Sequence, residues 1–363
     1  MVFALNLLFS IFYSVKLSYI YEHSNIRRRF IYFFLLFMPL WGMWLIICGG
    51  QYGVGTDYFS YYEIFEECRT TLYYNKNEWL FASIVEMGNS LSLHPQFFFV
   101  IFYFINFYFF LKILYELDLK YTYIFVVLYI CLSTVFNNQL NGLRQYTAIY
   151  IITYAIIAYN RNRSLKQAIL WIIMAGGIHV SAFLALPFLW INKIKIPKKH
   201  YSNLLLVSLL LSVMGAINFL TDGLKYILPP YYLHYLDSDF NRSNNLQQLV
   251  GKYIFIPFYF MSTYLIKNKM MTHRDESLYK IGFYSFCIRI VFLDNFIFNR
   301  VGQSFILLSI IPIYLLMKYS VKKKHKYIYW TVLLTFIAFY FMKVIVLAKQ
   351  EYLYQSIYFQ EFG

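Results

Sequence analysis

The chain has 363 residues, of which 60% are hydrophobic and only 13% are charged, and it contains 38 Phe and 38 Tyr. Soluble proteins carry about 25% charged residues, so this composition excludes a soluble domain and indicates a polytopic membrane protein. The formal net charge is +15. Its basic residues lie in loops between hydrophobic runs, as the positive-inside rule describes, and this distribution argues against a nucleic-acid partner.

Eleven apolar runs predict the membrane-spanning helices. A bilayer core about 30 Å thick requires roughly 20 apolar residues in a helix. The run 164–190 has basic loops at both ends, so we expect a hairpin of two short helices with its turn at Ala175-Gly176-Gly177. The sequence thus predicts a single all-α transmembrane domain over 1–363 with about twelve crossings, within a range of roughly 10–13. The runs are 2–20, 30–48, 96–115, 121–136, 146–159, 164–190, 201–220, 253–266, 277–297, 304–317 and 327–347.

The first run is expected to be a retained helix, since it has neither a basic front nor a small-residue cleavage site. Three consecutive arginines follow it and place the first loop in the cytoplasm. On this orientation 49–94 and 221–252 face the outer side. Within the first of them, 77–94 is predicted to form an interfacial or re-entrant helix, with Glu78 and Glu86 solvated.

The segment 221–252 interleaves aromatic and polar side chains. Sugars stack on aromatic rings and hydrogen-bond at their edges, so the pattern is typical of a carbohydrate-binding surface. An interfacial aromatic belt explains its tyrosines equally well. For the charged residues Asp237, Asp239 and Arg242 we favour contact with an acceptor sugar.

A glycine-rich stretch, Gly49-Gly50-Gln51-Tyr52-Gly53-Val54-Gly55-Thr56-Asp57-Tyr58, follows the uncharged run 30–48. Glycine allows unusual backbone conformations and the close approach of a ligand. A carboxylate where the chain leaves the membrane is either a solvated loop residue or a functional group. Asp57 is therefore a candidate catalytic residue, with Tyr58 beside it as a candidate sugar contact.

Three further candidates are predicted on the same side of the membrane. Arg144 lies in the polar stretch 137–145, His179 follows the glycines of the predicted hairpin, and Arg300 lies near a short outer turn. Each has an ordinary alternative. The two arginines could extend to lipid headgroups, and the histidine could be a packed side chain satisfied by a backbone carbonyl.

Arg289 lies inside an apolar run. An arginine there costs about 2.5–3.5 kcal/mol on insertion scales, so it should face the interior of the helix bundle and have a partner. Asp294 is the nearest candidate. The two residues could equally form a purely structural pair.

Together the arginines suit a diphosphate, because a guanidinium stays charged and holds phosphate oxygens through two parallel hydrogen bonds. A carboxylate or imidazole nearby could accept a proton from an attacking sugar hydroxyl, while the arginines stabilise the departing diphosphate. The sequence contains neither a Gly-rich nucleotide loop nor an HExxH motif. We therefore expect neither a metal nor another cofactor.

Five short motifs carry a resemblance to a known family. They are Gly53-Val54-Gly55-Thr56-Asp57-Tyr58, Asn141-Gly142-Leu143-Arg144-Gln145, Gly177-Ile178-His179-Val180-Ser181, Asn299-Arg300-Val301 with Phe305 and Pro312, and Tyr354-Gln355-Ser356-Ile357. In their order and spacing the chain resembles the EpsG-like and Wzy-type O-antigen polymerases. Val180 departs from the family pattern, in which a basic or polar residue often follows the histidine.

The resemblance implies a GT-C-like, metal-independent glycosyltransferase of the bacterial inner membrane. Its substrates would be undecaprenyl-diphosphate-linked oligosaccharide repeat units at the periplasmic face. Arg144 and Arg300 would bind the diphosphates with support from Arg289, and Asp57 or His179 would be the base or would orient the acceptor. A membrane protein that regulates chain length is the partner that the family implies, alongside membrane lipid.

Three other functions remain open from the sequence. An O-antigen ligase would use the same donor but transfer the glycan to lipid A core. A flippase or other transporter would usually show internal repeats, and no repeat is apparent between the halves. An acyltransferase would require a histidine–carboxylate motif of the HxxxD kind, but Phe183 stands where its aspartate belongs.

Overall fold

The computed structural model describes residues 1–23, 30–132, 134–194, 196–216, 253–348 and 352–358. Across these residues all regular structure is helical, apart from one isolated antiparallel bridge between Gln51 and Ser356. This confirms the all-α prediction. The predicted sugar contacts Asp237, Asp239 and Arg242 lie outside the described residues.

The chain packs into two compact units, of which the first comprises Met1–Leu189 and Trp330–Gly363. Two segments of this unit are 3₁₀-helical: Leu119–Tyr121 and the part of Val180–Lys193 that belongs to it. Its α-helices are α1 Val2–His23, α2 Phe30–Gly49, α3 Tyr58–Glu66, α4 Thr71–Asn75, α5 Trp79–Ser90, α6 Gln96–Glu116, α7 Thr122–Cys131, α8 Val135–Asn138, α9 Leu143–Asn160 and α10 Leu165–Ile178.

The second unit comprises Trp190–Tyr329. The last helix, α17 Lys326–Tyr340, begins in this unit, ends in the first and continues as a π-helical turn over Phe341–Val346. The other helices of the second unit are α11 Tyr201–Val213, α12 Ile256–Lys267, α13 His273–Val291, α14 Phe296–Gln303, α15 Ile306–Ser309 and α16 Ile311–Lys322.

Four of the described helices are long and apolar enough to cross a bilayer: α1, α2, α6 and the continuous helix Lys326–Val346. Shorter apolar helices cover Leu119–Cys131, Leu165–Ile178 and Val180–Lys193. These helices agree with a membrane protein. The total of about twelve crossings stays a prediction.

Trp44 of α2 shows how the aromatic composition builds the core of the first unit. Its ring centroid lies 5.4–5.5 Å from those of Phe107, Phe110, Tyr129 and Phe136. Aromatic pairs favour tilted and edge-to-face contacts in this distance range. The helices around α6 are therefore joined by interlocking rings.

A polar network lies within the same core, centred on the fully buried Gln139. Its Oε1 accepts hydrogen bonds from Tyr150 Oη at 3.0 Å and Asn106 Nδ2 at 3.3 Å. Its Nε2 donates to the Phe136 carbonyl at 3.2 Å and to Tyr129 Oη at 3.4 Å. Because buried polar groups are costly unless paired, this network fixes the segment between α8 and α9 in one conformation.

The run 164–190 forms two helical segments as predicted, but the predicted turn at the glycines is wrong. The α-helix α10 continues through Gly176 and Gly177 to Ile178, and it ends at His179, whose backbone is extended. Both glycines instead allow close packing. A Cβ atom on Gly176 would lie 2.4 Å from the Phe183 ring, and one on Gly177 would lie 2.9 Å from the Trp79 ring.

In the second unit, α13 packs against α11, α15 and α16. A Cβ atom on Gly282 would meet Pro312, Ile311 and the Leu308 carbonyl at 2.7–2.8 Å, so the absence of a side chain permits this contact. At the start of α13 the Thr272 hydroxyl caps the helix by accepting the Asp275 N–H.

Candidate active site

The glycine-rich loop before α3 is held by a residue that precedes α9. Gly53 and Gly55 have φ angles of +59° and +81°, conformations that glycine adopts without strain. The Asn141 Oδ1 accepts hydrogen bonds from the backbone N–H groups of Thr56 at 2.7 Å and Asp57 at 2.9 Å. A Cβ atom on Gly55 would lie 2.6 Å from that same oxygen. Two of the motifs found in the sequence are thus in direct contact.

Asp57 lies at the N-terminus of α3 and is exposed. Its Oδ1 accepts a hydrogen bond from the Thr56 hydroxyl at 3.0 Å. A carboxylate is favoured at a helix N-terminus, where the backbone N–H groups carry partial positive charge. Asp57 is therefore fixed in position while its carboxylate stays accessible to a ligand.

Arg144 is directed into the protein. Its Nη1 donates to Glu78 Oε2, and its side chain is 17% exposed while that of Glu78 is 3% exposed. The guanidinium carbon lies 4.5 Å from the ring centroid of Tyr73, 5.1 Å from that of Phe81 and 5.9 Å from that of Tyr61. In this structure the arginine is held by a carboxylate and three aromatic rings instead of extending to lipid headgroups.

Glu78 is a site residue that the sequence analysis missed. The prediction that it is solvated is wrong, because its side chain is buried against Arg144. The other oxygen of the carboxylate, Oε1, accepts the Val180 N–H at 3.2 Å. Glu78 thereby joins α9 to the residue that directly follows His179. Its only sequence signal is its place immediately before the amphipathic helix α5.

Glu86, which lies on α5, is exposed as predicted. The Tyr74 hydroxyl donates to it at 2.7 Å and the Thr70 hydroxyl at 2.8 Å. Both hydrogen bonds lower the pKa of Glu86 because they favour its charged form, and the bond from Tyr74 has the larger effect. The carboxylates of Glu78 and Glu86 thus occupy very different environments.

His179 lies in extended backbone, with φ −150° and ψ 120°, between α10 and the 3₁₀ segment. Its Nδ1 lies 2.9 Å from Ser181 Oγ and accepts the Ser181 N–H at 3.3 Å. An amide nitrogen can only donate, so Nδ1 is the acceptor and the neutral ring carries its proton on Nε2. This arrangement caps the 3₁₀ segment and leaves Nε2 as a hydrogen-bond donor.

Tyr58 is nearly fully buried. Its hydroxyl donates to Gln96 Oε1 at 2.9 Å, and its ring stacks on Phe99 with a centroid separation of 4.8 Å. These contacts anchor the start of α3. A contact between Tyr58 and an acceptor sugar stays a prediction.

The remaining predicted arginines belong to the second unit. Arg289 Nη1 donates to Ser309 Oγ at 2.6 Å, which gives the arginine a polar partner within α15. Arg300 lies on α14 and is exposed. Their predicted contact with diphosphate stays a prediction, as does the pairing of Arg289 with Asp294.

The site in the first unit is thus assembled from four parts of the chain. Asn141 ties the Asp57 loop to the start of α9, and Glu78 ties Arg144 on that helix to the segment after His179. The Asp57 carboxylate accepts a hydrogen bond from Thr56, the Arg144 guanidinium donates one to Glu78, and the His179 imidazole accepts one from Ser181. None of the described residues forms a group of three or more His, Cys, Asp or Glu side chains able to hold a metal ion.

These features define a helical membrane protein with a charged site held between its helices. The family model for the EpsG family matches residues 30–356. The chain therefore belongs to the EpsG family, which confirms the resemblance carried by its motifs, and it is a membrane protein of the polysaccharide-polymerase type. Neither the curated proteins nor the solved structures contain a significant match to it.

Proposed function

We propose that this protein is a metal-independent glycosyltransferase that polymerises undecaprenyl-diphosphate-linked oligosaccharide repeat units at the periplasmic face of the bacterial inner membrane. Its product would be an O-antigen or a related exopolysaccharide. The observation that carries the proposal is Arg144, a guanidinium held between α9 and α5 and linked through Glu78 to the His179 segment. Family membership supports the reaction type.

In the proposed reaction a hydroxyl of the acceptor sugar attacks the anomeric carbon of the lipid-linked glycan. A new glycosidic bond forms as the bond between that carbon and the diphosphate oxygen breaks. The proton of the hydroxyl goes to a base, and the electron pair of the broken bond leaves with the lipid diphosphate. Arg144, with Arg300 and Arg289 as further diphosphate contacts, would stabilise that charge.

Between the two candidates for the base, the hydrogen bonding supports Asp57. Its carboxylate is exposed and can accept a proton. His179 accepts the Ser181 N–H at Nδ1, so Nε2 bears a proton and acts as a donor. In this assignment His179 orients the acceptor or the diphosphate. Tyr58, Asp237, Asp239 and Arg242 are retained as proposed contacts to the acceptor sugar.

The function is tested by the surface polysaccharide of a strain that lacks this protein. On a gel, surface polysaccharide of many chain lengths forms a ladder of bands. If the protein is a polymerase, the deletion strain should show a single repeat unit in place of this ladder. If it is an O-antigen ligase, the deletion strain should show no attached glycan. Restoration of the ladder by the wild-type gene completes the test. An unchanged ladder in the deletion strain would contradict the proposal.

The residue assignment is tested by complementation with Arg144→Ala, Arg300→Ala, Asp57→Ala and His179→Ala, each at verified membrane levels. We expect the arginine and Asp57 variants to lose long chains. If all four variants still produce long polysaccharide chains, the assignment of these residues to the active site is wrong. Loss confined to the arginine variants would discard the roles of Asp57 and His179 but keep diphosphate binding.

A further inference from the structure

We propose that Glu78 is a positioning residue for the reaction. It would hold the Arg144 guanidinium in the orientation that meets the substrate diphosphate and fix the start of the segment that carries His179. This inference rests on the proposed function of Arg144. It concerns a residue that neither the sequence motifs nor the family match assigns to the site.

The bonding of the Glu78 carboxylate supports a positioning role and excludes the role of base. Oε2 accepts from Arg144 Nη1 and Oε1 accepts from the Val180 N–H. Both oxygens are therefore engaged, and the side chain is buried. Because both oxygens already accept hydrogen bonds from protein donors and the side chain is buried, the carboxylate is not presented to a sugar hydroxyl.

Arg144 retains binding capacity while it is paired. A guanidinium has five N–H donors in one plane, and Nη1 serves Glu78. Its Nε has no hydrogen-bond partner among the described residues, although it is buried. The rings of Tyr73 and Phe81 restrict the plane of the group. The ion pair therefore orients Arg144 through Nη1 and leaves Nε unpaired among the described residues.

Removal of the negative charge should disturb this orientation. A buried charge that loses its partner is strongly unfavourable, so Arg144 would move toward solvent. A displacement of about 1 Å of a group that contacts the reacting atoms can lower a rate by about 100-fold. We therefore expect Glu78→Gln to lower kcat by roughly 30–100-fold while KM changes much less. Glu78→Asp keeps the charge and should restore part of the loss.

The experiment uses the full chain in proteoliposomes with a lipid-diphosphate-linked repeat unit as substrate. The variants are Glu78→Gln, Glu78→Asp and the matched control Glu86→Gln, which makes the same chemical change at an exposed position of α5. The control should retain wild-type kcat and KM. A loss of kcat in Glu86→Gln equal to that in Glu78→Gln would overturn the proposal.

A second measurement needs no substrate. Phenylglyoxal modifies accessible arginines, and mass spectrometry of the digested protein reports the rate at Arg144. We expect Glu78→Gln to accelerate this reaction at least tenfold, the factor given by about 1.4 kcal/mol of easier opening. Arg300, which is exposed, serves as the internal reference and should react at the same rate in both proteins.

The two measurements separate the two proposals. If Arg144 is labelled faster in Glu78→Gln but the wild-type protein does not polymerise the substrate, the proposed function is contradicted. The positioning contact between Glu78 and Arg144 is then still supported. Equal labelling of Arg144 in wild type and Glu78→Gln would overturn the positioning role even if the wild type polymerises. Should Glu78→Gln fail to reach the membrane, Glu78→Asp decides, since labelling and kcat unchanged from wild type would contradict the proposal.

Discussion

The side-chain oxygen of Asn141 accepts the backbone N–H of Asp57 at 2.9 Å, although the two residues are 84 positions apart in the sequence. The same oxygen accepts the Thr56 N–H at 2.7 Å and lies 3.1 Å from the Thr56 hydroxyl. One uncharged side chain therefore sets the position of the loop that carries the proposed base. Asn141 lies three residues before Arg144, so the loop of Asp57 is tied to the segment that leads into the helix of Arg144.

Replacement of Asn141 should loosen this loop. Asn141→Ala leaves the two N–H groups to water, a loss of about 1 kcal/mol because the loop is exposed. The larger effect should fall on polymerisation, with a rate about 10–100-fold lower as Asp57 loses its fixed position. Kinetics in proteoliposomes and thermal unfolding in detergent measure the two effects.

The matched control for this change is Asn268→Ala. Asn268, which directly follows α12, is exposed, and its side chain donates to the carbonyl of Tyr264 in that helix. We expect wild-type rate and stability from it. A wild-type rate in Asn141→Ala would contradict the supporting role of Asn141.

Gly55 should tolerate no side chain. Its φ of +81° is strained for any other residue, at a cost of about 1–2 kcal/mol. An added Cβ would also lie 2.6 Å from Asn141 Oδ1 and push that oxygen from the loop. Gly55→Ala is therefore expected to lower both the unfolding temperature and the rate of polymerisation.

Gly42 offers a control with the same substitution. It lies inside α2, and a Cβ atom there would meet nothing within 4 Å. Alanine is favoured over glycine in a helix interior by up to about 1 kcal/mol, so Gly42→Ala should match or exceed wild-type stability. Equal unfolding temperatures for the two variants would refute the argument from backbone strain.

The buried Gln139 should be essential for stability. Gln139→Leu would leave the hydroxyls of Tyr129 and Tyr150 and the amide of Asn106 short of partners. Each unsatisfied buried group costs about 1–3 kcal/mol. We expect a marked loss of folded protein in a thermal series. Gln167→Leu, at an exposed position of α10, should be nearly neutral, and similar losses in both would argue against the network.

Much of this site follows from the sequence, because its parts carry local signals. The glycines before Asp57 and the polar stretch before Arg144 were identified from composition alone, and the structure brings them into contact. The interruption of the run 164–190 was also predicted. The predicted position of that interruption was wrong, because Gly176 and Gly177 allow close packing with Phe183 and Trp79 instead of forming a turn.

Glu78 shows why the rest could not be predicted. A carboxylate in a polar stretch is normally solvated, and its burial depends on a partner 66 positions away. Pairings of that kind have no local pattern. The same holds for Gln139, whose partners come from α6, α7 and α9.

The second unit offers a test of how burial determines the strength of an ion pair. Lys318 Nζ lies 2.9 Å from Asp275 Oδ2, and their side chains are 4% and 7% exposed. The Tyr319 hydroxyl donates to the same oxygen at 2.8 Å. The pair Lys120–Glu22 in the first unit is 44% and 41% exposed. Because loss of one partner leaves the other charge uncompensated, Asp275→Asn should destabilise by about 3–5 kcal/mol.

Glu22→Gln should cost only about 0–1 kcal/mol, since water solvates the remaining lysine. The double variant Asp275→Asn/Lys318→Met removes both buried charges together, so it should recover much of the stability lost in Asp275→Asn. Chemical denaturation in detergent, monitored by tryptophan fluorescence, compares the variants. A double variant no more stable than Asp275→Asn would show that the hydrogen bond from Tyr319, and not the charge of Lys318, is what the buried carboxylate provides.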